Sequence, residues 1–94
     1  MDFKGKTIAI TGAASGIGRA TALLLGERGA RLSLADKDTN ELAKFTNLLV
    51  DKKIDARFWS VNVTDPAAVQ KWIENTAKSM GLLDGMFARF EIMI

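Results

Sequence analysis

Eight residues constrain this chain more than any others: Thr11-Gly12-Ala13-Ala14-Ser15-Gly16-Ile17-Gly18. They sit where one hydrophobic pattern changes into another. Upstream, Thr7-Ile8-Ala9-Ile10-Thr11 is a short apolar, β-branched run, which predicts a buried strand. Downstream, Ile17, Ala20, Thr21 and Leu24 recur at helical spacing, and Gly29 supplies a stop. A tight strand-to-helix turn can need positive φ, which glycine adopts without a steric penalty. A missing Cβ also lets a diphosphate approach the main chain. The free N–H groups and dipole of a helix N-terminus favour the negative charge. A small residue at Gly18 lets the helix lie close to the sheet. A tight turn with no ligand uses glycine too, so spacing alone leaves both readings open.

The rest of the chain repeats the strand–helix alternation. Arg31-Leu32-Ser33-Leu34-Ala35-Asp36 alternates as a second strand. Asp38 and Glu41 have capping-box spacing, and Leu42, Phe45 and Leu49 form an apolar helical stripe ended by Asp51-Lys52-Lys53. Ala56 through Val63 predicts a third strand, with Trp59, Val61 and Val63 on one face. Asp65 before Pro66 is a helix start, with Val69, Trp72, Ile73, Thr76 and Met80 sharing a face and Gly81 closing the helix. A fourth strand is expected near Leu83. The order β-α-β-α-β-α-β implies parallel crossovers and an α/β fold: a partial doubly wound sheet in the order 3-2-1-4. The first two helices then cover one face and only the third covers the other. Part of that second face, and the edge at strand four, are expected to be exposed and open to self-association.

A carboxylate completes the glycine motif. Asp36 ends the second strand, 18 positions beyond Gly18. That is close to the offset of about 20 at which an acid reaches the ribose of a bound dinucleotide.

The glycine pattern is Gly-x-x-x-Gly-x-Gly. With the leading GKTIAITG, the RGARLSLAD strand, the VNVTDPAAV exit and the LLDGM entry, TGAASGIG resembles the coenzyme motif of the short-chain dehydrogenase/reductase family. The resemblance runs from Gly5 to about Met86. It implies a truncated NAD(P)-binding Rossmann domain over residues 1–94. In such a domain Gly12, Gly16 and Gly18 shape the pyrophosphate loop, and Thr11 and Ser15 contact or stabilise the adenosine end. Ile17 brings its N–H to a phosphate, and Asp36 accepts from the adenine-ribose hydroxyls. Asn62 stands where the family usually has Asp; its amide oxygen would accept from the adenine amino group, beside the Val63 main chain. A simple strand-exit cap is the alternative for Asn62. A carboxylate at Asp36 repels a 2′-phosphate, so NAD is favoured over NADP. Lys37 is the residue that argues the other way.

The resemblance ends after Met86. The family continues into Asn-Asn-Ala-Gly and, further on, a Ser with Tyr-x-x-x-Lys that handles the substrate proton. This chain reads Phe87 to Ile94, a divergent tail, and its 94 residues contain no Tyr, His or Cys. No catalytic residue is assigned, and the expectation is no turnover by these residues alone. A small-molecule substrate enters only if the catalytic half is supplied. No cysteine or histidine is available for a metal site. Ser60, Thr76 and Ser79 are expected to be surface or packing residues, Lys71 and Lys78 solvated, and Trp59 and Trp72 core. The net charge of +2 comes from 13 basic and 11 acidic residues with no basic stripe, so no nucleic-acid partner is expected. No apolar run reaches membrane-spanning length, and Met1 to Lys6 lacks a leader-like stretch; the chain is expected to be cytoplasmic. The rival readings are a non-catalytic nucleotide-binding or assembly fragment, and the product of a truncated or frameshifted gene.

Overall fold

The computed structural model describes residues 3–87. Its elements run β1 (Thr7–Thr11), α1 (Gly16–Glu27), β2 (Arg31–Asp36), α2 (Thr39–Asp51), β3 (Ala56–Ser60), α3 (Pro66–Met80) and β4 (Gly85–Phe87). The four strands form one parallel sheet in the order β3-β2-β1-β4. The order and the alternation match expectation. After Phe87 the divergent tail lies outside the described residues.

Period-two alternation sorts the strand side chains onto two faces. Ile8, Ile10, Leu32, Leu34 and Ala56 join Ala22, Leu42, Phe45, Leu49 and Ile54 in one core beneath α1 and α2. Ala9 and Ala35 lie on the other face with Val61 and Trp72, and Trp59, Val63, Val69, Ile73 and Leu83 are partly buried against them.

On this second face α3 is fixed by directional bonds. The Trp72 indole Nε1–H donates to Ser33 Oγ at 2.9 Å, and Thr76 Oγ1 donates to the Trp72 carbonyl at 2.9 Å. Thr76 has thereby used its one proton. In the 2.7 Å contact between Ser33 and Thr76, Ser33 must then be the donor. The ring closes with every hydroxyl proton placed. Arg31 and Arg57 reach from the sheet to the far end of α3, donating to the Met80 and Ser79 carbonyls at 2.9 Å each. At its start Asp65 accepts from the Ala67 N–H at 3.0 Å, with Pro66 in the first turn, as the sequence predicts.

Five details depart from expectation. The α1 face toward the sheet is Gly18, Ala22 and Gly26, while Ile17 and Leu24 of the expected stripe are 54% and 53% exposed. The reason is space: a Cβ on Gly26 would come within 2.8 Å of Ile54 and 3.2 Å of Leu32, so the close face takes small residues. Next, β3 stops at Ser60. The Asp36 carbonyl still takes the Val61 N–H at 3.1 Å, but Asn62 then turns the chain with its own side chain. Third, β4 starts at Gly85 rather than near Leu83. Asp84 precedes it and clamps Thr7: its carboxylate accepts from Thr7 N–H, its own N–H donates to Thr7 O, both at 2.8 Å.

The fourth departure is the capping box, which forms by half. Asp38 accepts from Glu41 N–H at 3.2 Å, but the Asp38 N–H already donates to Asp36, and Glu41 pairs with Lys44 instead. Finally, the second sheet face is less open than expected. Thr7, Ala9, Thr11, Ser33 and Ala35 of the two central strands are all buried, and exposure on that side is confined to the outer strands, at Arg57 in β3 and at Met86 in β4, which registers with Ala9. Trp72 is core and Trp59 half-buried; Lys71 and Lys78 are exposed; Thr76 is a packing residue in the hydroxyl ring. No helix among the described residues is long and apolar enough to cross a membrane.

Candidate functional site

Because the strands are parallel, their carboxyl ends share one edge of the sheet. From β1 the chain moves outward through β2 and β3, then returns to β4 on the opposite side of β1. Sheets of this kind bind ligands in the crevice outside the carboxyl ends, where the direction reverses. Thr11 ends β1 at that point, and the glycine loop follows.

The loop turns through left-handed backbone at Gly12 (φ +62°) and Gly16 (φ +60°), where a side chain would be strained. Gly18 serves close approach instead. A Cβ there would come within 2.7 Å of the Gly12 carbonyl carbon and 3.0 Å of Thr11 O, forcing α1 away from the loop. Ser15 is the N-cap of α1 in extended backbone, yet its side chain makes no cap bond, and the first turn holds no acid. By contrast α2 and α3 are capped by Asp38 and Asp65. Gly12, Ser15, Gly16 and Ile17 are all exposed at this end of α1. Of the three described helices, the one aimed from the reversal point is thus the one not neutralised by its own side chains.

Asp36 lies alongside, at the end of β2. Ala13 N–H donates to Ala35 O at 3.2 Å, extending the β1–β2 ladder into the loop. Ala14 N–H then donates to Asp36 Oδ2 at 3.0 Å, and Asp38 N–H donates to Asp36 Oδ1 at 3.1 Å. The carboxylate is half-buried, and Lys37 beside it is exposed. The Val61 bond to Asp36 O brings the β3 exit next to this carboxylate. There Asn62 Oδ1 accepts from both Thr64 N–H (3.0 Å) and Thr64 Oγ1 (2.6 Å), so the amide oxygen builds a turn; Val63 is half-buried against α3.

All eight sequence-nominated residues therefore gather at one sheet edge: Gly12, Ser15, Gly16, Ile17 and Gly18 in the loop and first turn, Asp36 beside them, Asn62 and Val63 on the next strand exit. The Ala14–Asp36 bond was not anticipated, because the loop and the end of β2 meet only in the folded sheet. A cavity of about 250 Å³ between β3 and α3 is lined by Trp59, Ser60, Val61, Ala68, Lys71, Trp72 and Asn75; no glycine-loop residue borders it. Among the described residues no group of three or more carboxylates, histidines or cysteines converges as a metal site would require.

Sheet order and loop together define a doubly wound unit of Rossmann type. The family model described as short chain dehydrogenase matches residues 6–89. An uncharacterized oxidoreductase of Listeria monocytogenes is 40% identical over 93 residues, covering 99% of this chain and 38% of the relative. A short-chain dehydrogenase/reductase of Botryotinia fuckeliana, aba4, is 44% identical over 84 residues, covering 88% of this chain and 33% of that one. A crystal structure of a short chain dehydrogenase/reductase from Burkholderia phymatum in complex with NAD superposes with a TM-score of 0.89 at 32% identity, covering 93% of this chain and 31% of that chain. The chain belongs to the short-chain dehydrogenase family, and it spans between 33% and 38% of the length of these curated relatives.

Proposed function

We propose that this chain forms the adenosine and pyrophosphate site of a nicotinamide-dinucleotide oxidoreductase. The observation that carries the reading is the uncapped N-terminus of α1 behind a left-handed glycine loop, with Asp36 at its side. Gly12 and Gly16 allow the pyrophosphate to approach, Ile17 offers its N–H to a phosphate, and Gly18 keeps the helix close. Ser15 and Thr11 stand at the adenosine end. Asp36 takes the ribose hydroxyls. Val63 offers its main chain to adenine, and Asn62 shapes the turn that presents it, since its Oδ1 already accepts two bonds.

Hydride transfer to or from an alcohol or carbonyl is the activity proposed for the whole protein. A bound nicotinamide supplies that chemistry. These 94 residues offer no tyrosine to move the substrate proton, so their own share is recognition.

NAD is the proposed coenzyme rather than NADP. A 2′-phosphate set about 5 Å from a carboxylate at surface dielectric is opposed by about 1–3 kcal/mol, a discrimination of roughly tenfold to a hundredfold. Calorimetric titration of the purified chain tests both parts. ADP-ribose should bind within about threefold of NAD, because every role assigned above falls on the adenosine and pyrophosphate, and NADP should bind at least roughly tenfold more weakly. Asp36→Ala should bring NAD and NADP together. Failure of ADP-ribose to bind at millimolar concentration would sink the assignment.

Self-association is a second, compatible proposal. It is supported by half-exposed Met86 on β4, whose described pairing is to β1 alone. Sedimentation with and without NAD tests it; a monomer at all concentrations rejects it.

A further inference from the structure

Asp36 has more to do than greet a ribose. Its carboxylate is engaged by the chain itself, on both oxygens and by two different segments. Oδ2 accepts from Ala14 N–H of the glycine loop at 3.0 Å, and Oδ1 accepts from Asp38 N–H at 3.1 Å. The first bond spans 22 positions of sequence and joins the loop to the end of β2. The second fixes the carboxylate from behind, through the backbone that opens α2. Held at both oxygens, the group cannot turn away without giving up a charge-assisted bond.

An ionised carboxylate has about four acceptor sites, two on each oxygen. The main chain uses one on each. One on each remains, which is the number that two neighbouring ribose hydroxyls require. Main-chain bonds and ribose bonds are therefore compatible rather than competing.

We propose that Asp36 is the latch of the glycine loop. It holds the loop in coenzyme-ready shape through Ala14 N–H before any dinucleotide arrives, and it keeps that bond while its remaining acceptor sites take the adenine ribose. The ribose half of this statement rests on the coenzyme reading above; the latch half does not. The latch makes one residue both a positioning group for the pyrophosphate loop and the group that rejects a 2′-phosphate. A fixed carboxylate cannot swing aside to relieve the repulsion. Substituting Asp36 to admit NADP then carries a built-in cost, because the loop that must bind the pyrophosphate loosens at the same moment.

Amide hydrogen exchange measured by NMR on the 94-residue chain tests the latch without nucleotide. In Asp36→Ala, Ala14 N–H should exchange at least about tenfold faster, since a charge-assisted acceptor is lost. Leu34 and Ile10, in the sheet interior, should keep their wild-type rates and report that the fold is intact. Asp36→Asn retains a single acceptor oxygen, so it should release Ala14 or Asp38 but not both. Unchanged protection of Ala14 in Asp36→Ala overturns the latch. Adding NAD to the wild-type chain then tests the sharing. Retained protection at Ala14 supports it; faster exchange at Ala14 on saturation would show the carboxylate leaving the loop for the ribose and overturn it. If NAD does not bind the wild-type chain, the coenzyme reading and the sharing both fall. The nucleotide-free comparison still decides the latch on its own.

Discussion

The two faces of the sheet are held by different physics. Under α1 and α2 the contacts are aliphatic and aromatic: Ile8, Ile10, Leu32 and Leu34 against Ala22, Leu42, Phe45 and Leu49. Burial of this kind is strong but non-directional, at about 25 cal/mol per Å² of apolar surface. Under α3 the two central strands, β1 and β2, offer Thr7, Ala9, Thr11, Ser33 and Ala35, all small and all buried. Small side chains leave room for one indole, and Trp72 fills it at 1% exposure while bonding Ser33. Two helices share the first face and one must hold the second. The single helix is fixed in position by a hydroxyl ring and two arginine contacts to its last turn, where the paired helices rely on surface area. The lesson is that a doubly wound sheet need not be symmetric to be closed: fewer contacts suffice where each has a direction.

Four substitutions would break or sharpen that contrast. Trp72→Ala should have the largest effect, about 3–5 kcal/mol, through the cavity it leaves and the Ser33 oxygen that loses its indole donor. Urea unfolding measures it, and a loss below about 1 kcal/mol would show that α3 is not held by its indole. Ser33→Ala should cost about 1–3 kcal/mol, because it strands a buried indole N–H. Combining it with Thr76→Val should cost less than the sum of the two single changes, since both cut the same ring. Strict additivity in that cycle would mean the three groups act separately. Leu42→Met, on the aliphatic face, should cost less than about 1.5 kcal/mol, as volume-conserving swaps do. If Leu42→Met cost more than Ser33→Ala, the distinction between directional and non-directional faces would be lost.

How much of this was legible in the sequence depends on whether the interaction is local. Strand and helix types were, because Ile8 and Ile10, Leu32 and Leu34, and Leu42, Phe45 and Leu49 carry their periods within a few residues. So were the Asp38 and Asp65 caps. The face of α1 was misread because hydrophobic periodicity follows large residues. Here the closest approach is made by Gly18, Ala22 and Gly26, and Ile17 and Leu24 face outward. The glycines and Asp36 could be nominated from spacing, and Ser15, Ile17, Asn62 and Val63 from the family resemblance, yet the bonds that arrange them could not. Ala14 to Asp36 crosses 22 positions, and Thr7 to Asp84 crosses 77, and nothing in the neighbourhood of either residue announces its partner.

The placement of β1 also has a consequence in time. Its pairing with β2 can form as soon as Ala35 is available, because Thr7 through Thr11 register with Arg31 through Ala35. Its pairing with β4 waits for Gly85, roughly fifty residues later. At synthesis rates of about 5–20 residues per second, the central strand of a nascent chain stands with one bare edge for several seconds. During that interval the glycine loop can already be laid against β2, through bonds that need nothing beyond Asp38. The glycine loop with its acidic neighbour is thus among the first parts of the molecule that can be finished, and the strand that closes the described sheet on its other side is the last.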